Sequence, residues 1–247
     1  MTTNHPPLGP FFLDPNDPDA FPDVSLALAD PDGLLAIGGD LSPARLLAAY
    51  TRGIFPWYSK GQPILWWSPN PRAVIYPKEL HISRRLRRTL CRGQFTVTLD
   101  HAFAQVIAEC AKSRSDQRGT WITQEMRQAY AQLHHLGYAH SVEVWQDDRL
   151  VGGMYGVSLG KVFFGESMFS RETDASKVAM VYLCKQLECW GFALLDCQVQ
   201  SAHLDSMGAM PLARDKFIES LARHTDQPMQ HRTWTFDDDL KQAILRT

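Results

Sequence analysis

Two hydrophobic rhythms run along this chain, and each predicts its own elements. SPARLLAAYTRG sets Leu46, Leu47 and Tyr50 at helical spacing. Ser42 is placed to cap that helix, Pro43 suits its first turn and Gly53 ends it. IFPWYSKGQPILWWSPNPR then breaks all periodicity, with Phe55, Trp57, Tyr58, Trp66 and Trp67 among four prolines. A rigid irregular seam is expected there, between a small N-terminal domain (1–71) and the rest (72–247). Beyond it, AVIYP and the alternating QFTVTLD read as strands flanking a basic helical turn or two, ISRRLRRTL. Asp100 is placed to cap a helix with Phe103, Val106, Ile107 and Cys110 inward. Thr123 is placed to cap another, with Met126, Tyr130 and Leu133 inward and Gly137 as terminator. HSVEVWQDDRLVGGMYGVSLGKVFFGESMF predicts three antiparallel strands turning at Asp147-Asp148 and Leu159-Gly160. A helix from about Asp174 to Trp190 follows, and two more are expected at 211–223 and 238–246.

GFALLDCQVQ, residues 191–200, is the strand whose pattern does not fit a plain core. Leu195, Cys197 and Val199 share one face, while Asp196, Gln198 and Gln200 share the other. Asp196 and Gln198 would project together, roughly 7 Å apart. Burying such groups without partners costs kilocalories per mole, so the strand is expected to present them for a purpose.

Composition narrows what that purpose is. The net charge is −2, yet seven basic residues between Arg72 and Arg92 face a single acid, Glu79. A confined basic patch on an acidic body suits a local polyanion contact. Five cysteines, odd in number and without a CxxC pair, argue against a disulfide framework or a cysteine zinc site and suggest reduced core thiols. No apolar run approaches a membrane span, and the start MTTNHPPLGPFFLDPNDPD lacks the order of a signal peptide, so a cytoplasmic protein is expected.

The order strand, two helices, three-strand meander, helix, strand is the plan of the GCN5-related N-acetyltransferase (GNAT) fold. It predicts an α+β domain with a mixed, mainly antiparallel sheet whose central strands splay around an acyl donor. A coenzyme A enzyme of that kind needs a Gly-rich turn after the fourth strand to hold the pyrophosphate. Here KVFFGE runs into SMFSRETDASK without it. Glu166, expected at the end of that strand, and Asp196 are the two acids a cleft would share. A metal would need a further ligand, for which His203 is the near candidate, and glycoside hydrolysis would need a sugar groove. Recognition of a cation fits the pair best.

GLLAIGGDLSPARLLAAYTRGIFPW, ILWWSPNPRAVIYP, LHISRRLRR, GTWIT, LVGGMYGVSLGKVFFGESMFS and LLDCQVQSAHLDSMGA, colinear over about residues 21–220, resemble the leucyl/phenylalanyl-tRNA–protein transferase family. The resemblance implies transfer of Leu or Phe, less so Met, from aminoacyl-tRNA to the N-terminal amine of proteins beginning with Arg or Lys. Such a product is marked for degradation by the N-end rule. It also implies a GNAT-like C-terminal domain, a monomer, and neither metal nor cofactor.

By the same resemblance Asp196 and Gln198 form the catalytic pair, with Asp196 polarising the Gln198 amide and its carbonyl aligning the attacking amine. An amide oxygen is hardly basic, so the proton is expected to leave through the ribose hydroxyl or water. Glu166 is the expected reader of the acceptor side chain, with Arg171 or Lys177 as the competing local partners. Trp57 and Trp121 are expected against the terminal adenosine. Met154, Phe163, Met180 and Leu195 are expected to form the aminoacyl pocket; one turn beyond Met180, where that family often has an aromatic, stands Leu183. Arg84, Arg85, Arg87 and Arg88 are expected on tRNA phosphates. The rival readings are a coenzyme A-dependent acetyltransferase, which the missing glycines disfavour, and a non-catalytic RNA-binding module.

Overall fold

The computed structural model describes residues 9–115, 121–228 and 234–246; Gly119 and Thr120 of the GTWIT block, and the first eight residues, lie outside these. Strands β1 (Phe11–Leu13) and β2 (Leu34–Gly38) are followed by helix α1 (Pro43–Thr51), then β3 (Phe55–Pro56) and β4 (Leu65–Trp67). The four strands form one sheet in the order β1-β2-β4-β3. The expected irregular seam is therefore interrupted by two short strands, β3 and β4, with Pro56 ending β3 and Pro71 standing just before Arg72. Trp66 is fully buried and donates its indole N–H to Gly38 O at 2.8 Å, which removes the cost of burying that donor.

The rest of the chain runs β5 (Arg72–Ile75), α2 (Arg84–Arg92), β6 (Thr96–Leu99), α3 (Phe103–Ser115), α4 (Gln124–His135), β7 (Ala139–Gln146), β8 (Arg149–Leu159), β9 (Val162–Ser170), α5 (Ala175–Cys189), β10 (Leu194–Gln198), α6 (Ala202–Asp205), β11 (Met210–Leu212), α7 (Arg214–His224) and α8 (Leu240–Arg246). Its strands form a seven-stranded sheet, β11-β5-β10-β9-β8-β7-β6. Only the β9–β10 ladder in that sheet is parallel, with α5 as the crossover. It lasts three pairs, Leu194↔Val162, Leu195↔Phe163 and Asp196↔Phe164. Beyond them β9 continues on β8 alone to Ser170, and the two central strands part. This is the α+β, GNAT-like plan that the element order predicts, with its gap at the centre of the sheet.

Three local expectations are corrected. Asp100 does not cap α3. It takes φ 56° and accepts hydrogen bonds from the Ser141 N–H and the His140 ring, while Glu143 of β7 receives the N–H groups of His101 and Ala102 at the helix start. A cross-strand acid does the work of a sequence-local cap. The second meander turn falls on Gly160 and Lys161, one residue later than the pattern suggests. All five cysteines are free, but only Cys110 and Cys184 are buried; Cys91 and Cys189 are exposed. Among the described residues no helix is long and apolar enough to cross a membrane.

One apolar cluster joins both sheets, from Leu35, Tyr50 and Trp66 to Val106, Tyr130, Phe164 and Phe217. A second lies on the other face of the large sheet and includes Met154, Phe163, Met180, Leu195 and Trp234.

Candidate active site

The site begins with a break in the β8–β9 ladder. Tyr155 pairs with Ser167 and Gly156 with Gly165, leaving Glu166 as an extra residue. Such a bulge re-aims the side chain it carries. Gly156 permits it, since a Cβ there would stand 2.2 Å from Phe164 O. Glu166 is thus set within β9 rather than at its end. Its carboxyl is buried against two helices: Tyr50 Oη of α1 lies 2.7 Å from Oε1, and Tyr130 Oη of α4 lies 2.8 Å from Oε2. The two phenol oxygens are 2.5 Å apart, and Gln198 Nε2 donates to Oε1 at 2.8 Å.

Burial lifts the Glu166 carboxyl to about 7; the Asp196 charge adds to the rise, and the hydrogen bonds from Tyr50, Tyr130 and Gln198 oppose it. Burial, followed by the charge of Glu166, pushes both phenols well above their ordinary value. The competing local partners fall away. Arg171 pairs with Glu109, and Lys177 donates to Ser206.

Strand alternation fails where it matters most. Gln198 takes φ 62°, and the β10–β5 register shifts between Asp196 and Gln198. The two side chains therefore do not project together. Asp196 is fully buried and receives Arg72 Nε at 2.8 Å and Nη2 at 2.7 Å. Its remaining bond is to the main-chain N–H of Gln198, at 2.8 Å, and not to the side-chain amide. The expected polarisation of that amide by Asp196 is replaced by a contact between the Gln198 amide and Glu166. Arg72, read in the sequence as part of the basic patch, is a core residue. Its guanidinium lies 4.7 Å from the ring centroids of both Phe55 and Phe217 and donates to Gly53 O at 3.0 Å. Gly53, at φ 71°, lets α1 turn beneath α7; a Cβ there would meet Ile218 at 2.7 Å.

A cavity of about 550 Å³ fills the gap between β9 and β10, a volume in the range of small-ligand sites. Trp57, Trp121, Met154, Met180 and Leu195 line it, with Glu166 and Gln198 on its polar side. Trp57, 44% exposed, and Val199, 50% exposed, give it an apolar wall open to solvent. The exception among the expected pocket residues is Phe163. It is buried, outside the lining, with its ring 5.6 Å from that of Trp234, because it lies where β9 and β10 are still paired. Leu183 is likewise buried and outside the lining. Asp196 is outside it too; Cys197 and His203 belong to it.

The sequence reading missed Tyr50, Tyr130 and Arg72 as site residues. The available signal was chemical: two tyrosines at inward helical positions need partners for their hydroxyls.

Arg84, Arg85, Arg87 and Arg88 are all exposed on α2, which buries Leu86 and Thr89 instead. Thr89 Oγ1 donates to Asp174, the N-cap of α5, and Arg85 lies 3.8 Å from the same carboxylate. The basic face thus adjoins the start of the helix that supplies Met180 to the cavity. An acid at that helix start is ill suited to a pyrophosphate.

The family described as "Leucyl/phenylalanyl-tRNA protein transferase" matches residues 74–222, and its N-terminal domain family matches residues 39–70. Among curated relatives bearing the name leucyl/phenylalanyl-tRNA--protein transferase, that of Cellvibrio japonicus is 56% identical over 92% of this chain and 94% of its own. That of Hydrogenovibrio crunogenus is 52% identical over 96% and 92%, and that of Aromatoleum aromaticum 60% over 87% and 91%. Among solved structures, a GCN5-related N-acetyltransferase from Kribbella flavida aligns with a TM-score of 0.35 at 12% identity, covering 69% of this chain and 61% of that one.

Proposed function

This chain belongs to the leucyl/phenylalanyl-tRNA–protein transferase family, an aminoacyltransferase family, and from that premise we propose how its central cavity works. Leucine or phenylalanine, and less readily methionine, is carried in as the ester of a tRNA 3′ end. It leaves as an amide on the N-terminal amine of a protein beginning with Arg or Lys, which is thereby marked for degradation by the N-end rule. The protein acts as a monomer on these two macromolecular substrates, and residues 1–71 and 72–247 serve as its N-terminal and transferase domains.

The observation that carries this reading is the cavity: mostly apolar, held between two parting strands, with the amides of Gln198 and Gln200 and, among the described residues, the one acid Glu166 on its wall. Met154, Met180 and Leu195 form the side-chain pocket, and flexible methionines suit both a leucyl and a phenylalanyl group. Trp57 and Trp121 stack the terminal adenosine, a contact worth about 1–3 kcal/mol per base. The α2 arginines hold backbone phosphates and read no sequence.

The amine nitrogen attacks the ester carbonyl carbon. The tetrahedral adduct collapses to the amide, and the ribose oxygen departs with the proton that the nitrogen gives up. An ester is already activated towards amines, so positioning supplies much of the rate. Gln198 is the positioning amide. Its N–H is anchored on Glu166, and no described residue donates to its carbonyl oxygen, which is free to accept from the attacking amine. Asp196 acts at one remove, holding the Gln198 main chain while Arg72 holds it. Glu166 is the single acid among the described residues that line the cavity, and the group that favours a cationic acceptor.

Transfer of labelled leucine from Leu-tRNA to a peptide beginning with Arg is the test. The reading expects an amide-linked product and a much slower reaction with a peptide beginning with norleucine. No transfer under conditions where the tRNA is bound would overturn it.

A further inference from the structure

The contacts of Glu166 contain a counting problem. Tyr50 Oη, Tyr130 Oη and the carboxyl group close a ring through three oxygen–oxygen contacts, 2.5, 2.7 and 2.8 Å long. Each needs a proton, because lone pairs face to face at such distances in a buried site repel. Two phenols bring two protons. Neither phenol supplies a spare one, and neither has surrendered its own, since both are held well above the ordinary phenol value. The third proton therefore belongs to the carboxyl group. Gln198 fixes its position: Oε1 accepts the Gln198 amide and behaves as the carbonyl oxygen, so the hydroxyl is on Oε2. The ring then closes in one sense, from Oε2–H to Tyr130, from Tyr130 to Tyr50, and from Tyr50 to Oε1, each oxygen donating once and accepting once.

We propose that Tyr50, Tyr130 and Glu166 hold three protons in this closed ring in the free protein, and that a cationic acceptor N-terminus docks by expelling one of them. The proposal rests on Glu166 being the acid on the acceptor side. In the step, the O–H bond of Glu166 breaks, its electron pair stays on the carboxylate, and the proton passes to solvent. The Tyr50–Tyr130 contact, left without a proton, opens, and the two tyrosines and the Gln198 amide then serve as three donors to the carboxylate and stabilise it. A neutral acceptor brings no charge to drive the exchange and meets a neutral acid. Selectivity for Arg or Lys thus arises from the charge of this acid, which the cation itself draws out wherever the empty site still holds the proton.

The other groups facing the ring do not replace it. Tyr155 of β8 meets Tyr130 edge-on at 5.5 Å between centroids. Asp196 of β10 is ion-paired with Arg72 of β5. His203 of α6, on the cavity wall, has an imidazole that burial and Lys177 push below its ordinary value.

The pH dependence has a definite sign. The neutral acid must give up its proton to favour the cation, so preference weakens as pH falls below the Glu166 value of about 7. The readout is the ratio of kcat/KM for a peptide beginning with Arg to that for the same peptide beginning with norleucine, in which the titration of the shared α-amine largely cancels. It should rise about tenfold between about pH 6 and pH 8, as the ionised fraction does. Glu166→Gln, whose carboxamide keeps one acceptor and one donor for the ring, should give a low ratio that does not change with pH. Tyr130→Phe removes a donor to the carboxylate and should move the midpoint upward. Infrared difference spectra of the full-length protein at about pH 6 should show a neutral carboxyl C=O band that Glu166→Gln abolishes and that an Arg-initiated peptide bleaches. If Glu166→Gln loses the preference but no such band exists, the ring is overturned and the role of Glu166 survives. If the band exists and Glu166→Gln keeps the full preference, Glu166 does not read the acceptor and the coupling falls with it.

Discussion

Gln198 occupies the left-handed region at φ 62°, a conformation that costs a non-glycine residue about 1–2 kcal/mol. That kink turns its amide back to the cavity face while Asp196 stays in the core. Gln198→Gly and Gln198→Ala both remove the amide, so both should slow transfer with little change in tRNA affinity. The glycine variant should be the more stable of the two by about 1 kcal/mol, read from urea midpoints, because only it occupies this φ freely. Asp196 calls for a different substitution from the one its sequence pattern suggests. Asp196→Ala leaves the Arg72 guanidinium buried without its partner and should cost about 3–5 kcal/mol, an effect on folding that would hide any effect on chemistry. Glu166 also makes stability depend on pH. Its folded value of about 7 exceeds the ordinary carboxyl value of 4.5, so the native state binds the extra proton and stability should fall as pH rises between those values. Glu166→Gln should flatten that part of the denaturation profile.

At the scale of elements, long periodic segments were legible in the sequence and departures from period were not. The helical stripe of Met126, Tyr130 and Leu133, capped by Thr123, and the turn at Asp147 and Asp148 followed from local chemistry. The bulge at Glu166 and the register shift at Gln198 did not, because each depends on what a neighbouring strand permits: Gly156 opposite the first, Ala73 beside the second. These irregularities are what bring Glu166 and Gln198 together, so the site was legible as a set of residue types and illegible as an arrangement. Asp100 makes the same point, since its capping role went to Glu143, a residue 43 positions later that no local pattern joins to it. Helix α2 is the simplest element to test. Changing Arg84, Arg85, Arg87 and Arg88 together to Ala should weaken tRNA binding and lower the magnitude of the slope of log affinity against log salt by up to about 3–4, with the helix still seated through Leu86 and Thr89.

At the scale of the whole molecule, the two sheets share one apolar cluster, and Arg72 ties Gly53 before β3 to Asp196 in β10 between Phe55 and Phe217. A single calorimetric transition is expected. The C-terminal segment belongs to the same unit: Trp234 is buried, stacks on His140 at 3.7 Å and covers Phe163 behind the cavity floor. Trp234→Ala should cost about 3–5 kcal/mol in denaturant titrations. The Arg72 junction also has a bearing on biosynthesis. Its two charged partners stand 124 residues apart, so a chain emerging from the ribosome carries that guanidinium unmatched until nearly four-fifths of its length has been made. Nascent chains stalled before Asp196 should be cut readily by protease around β5, and resistance should arrive late and all at once, after translation has supplied β10.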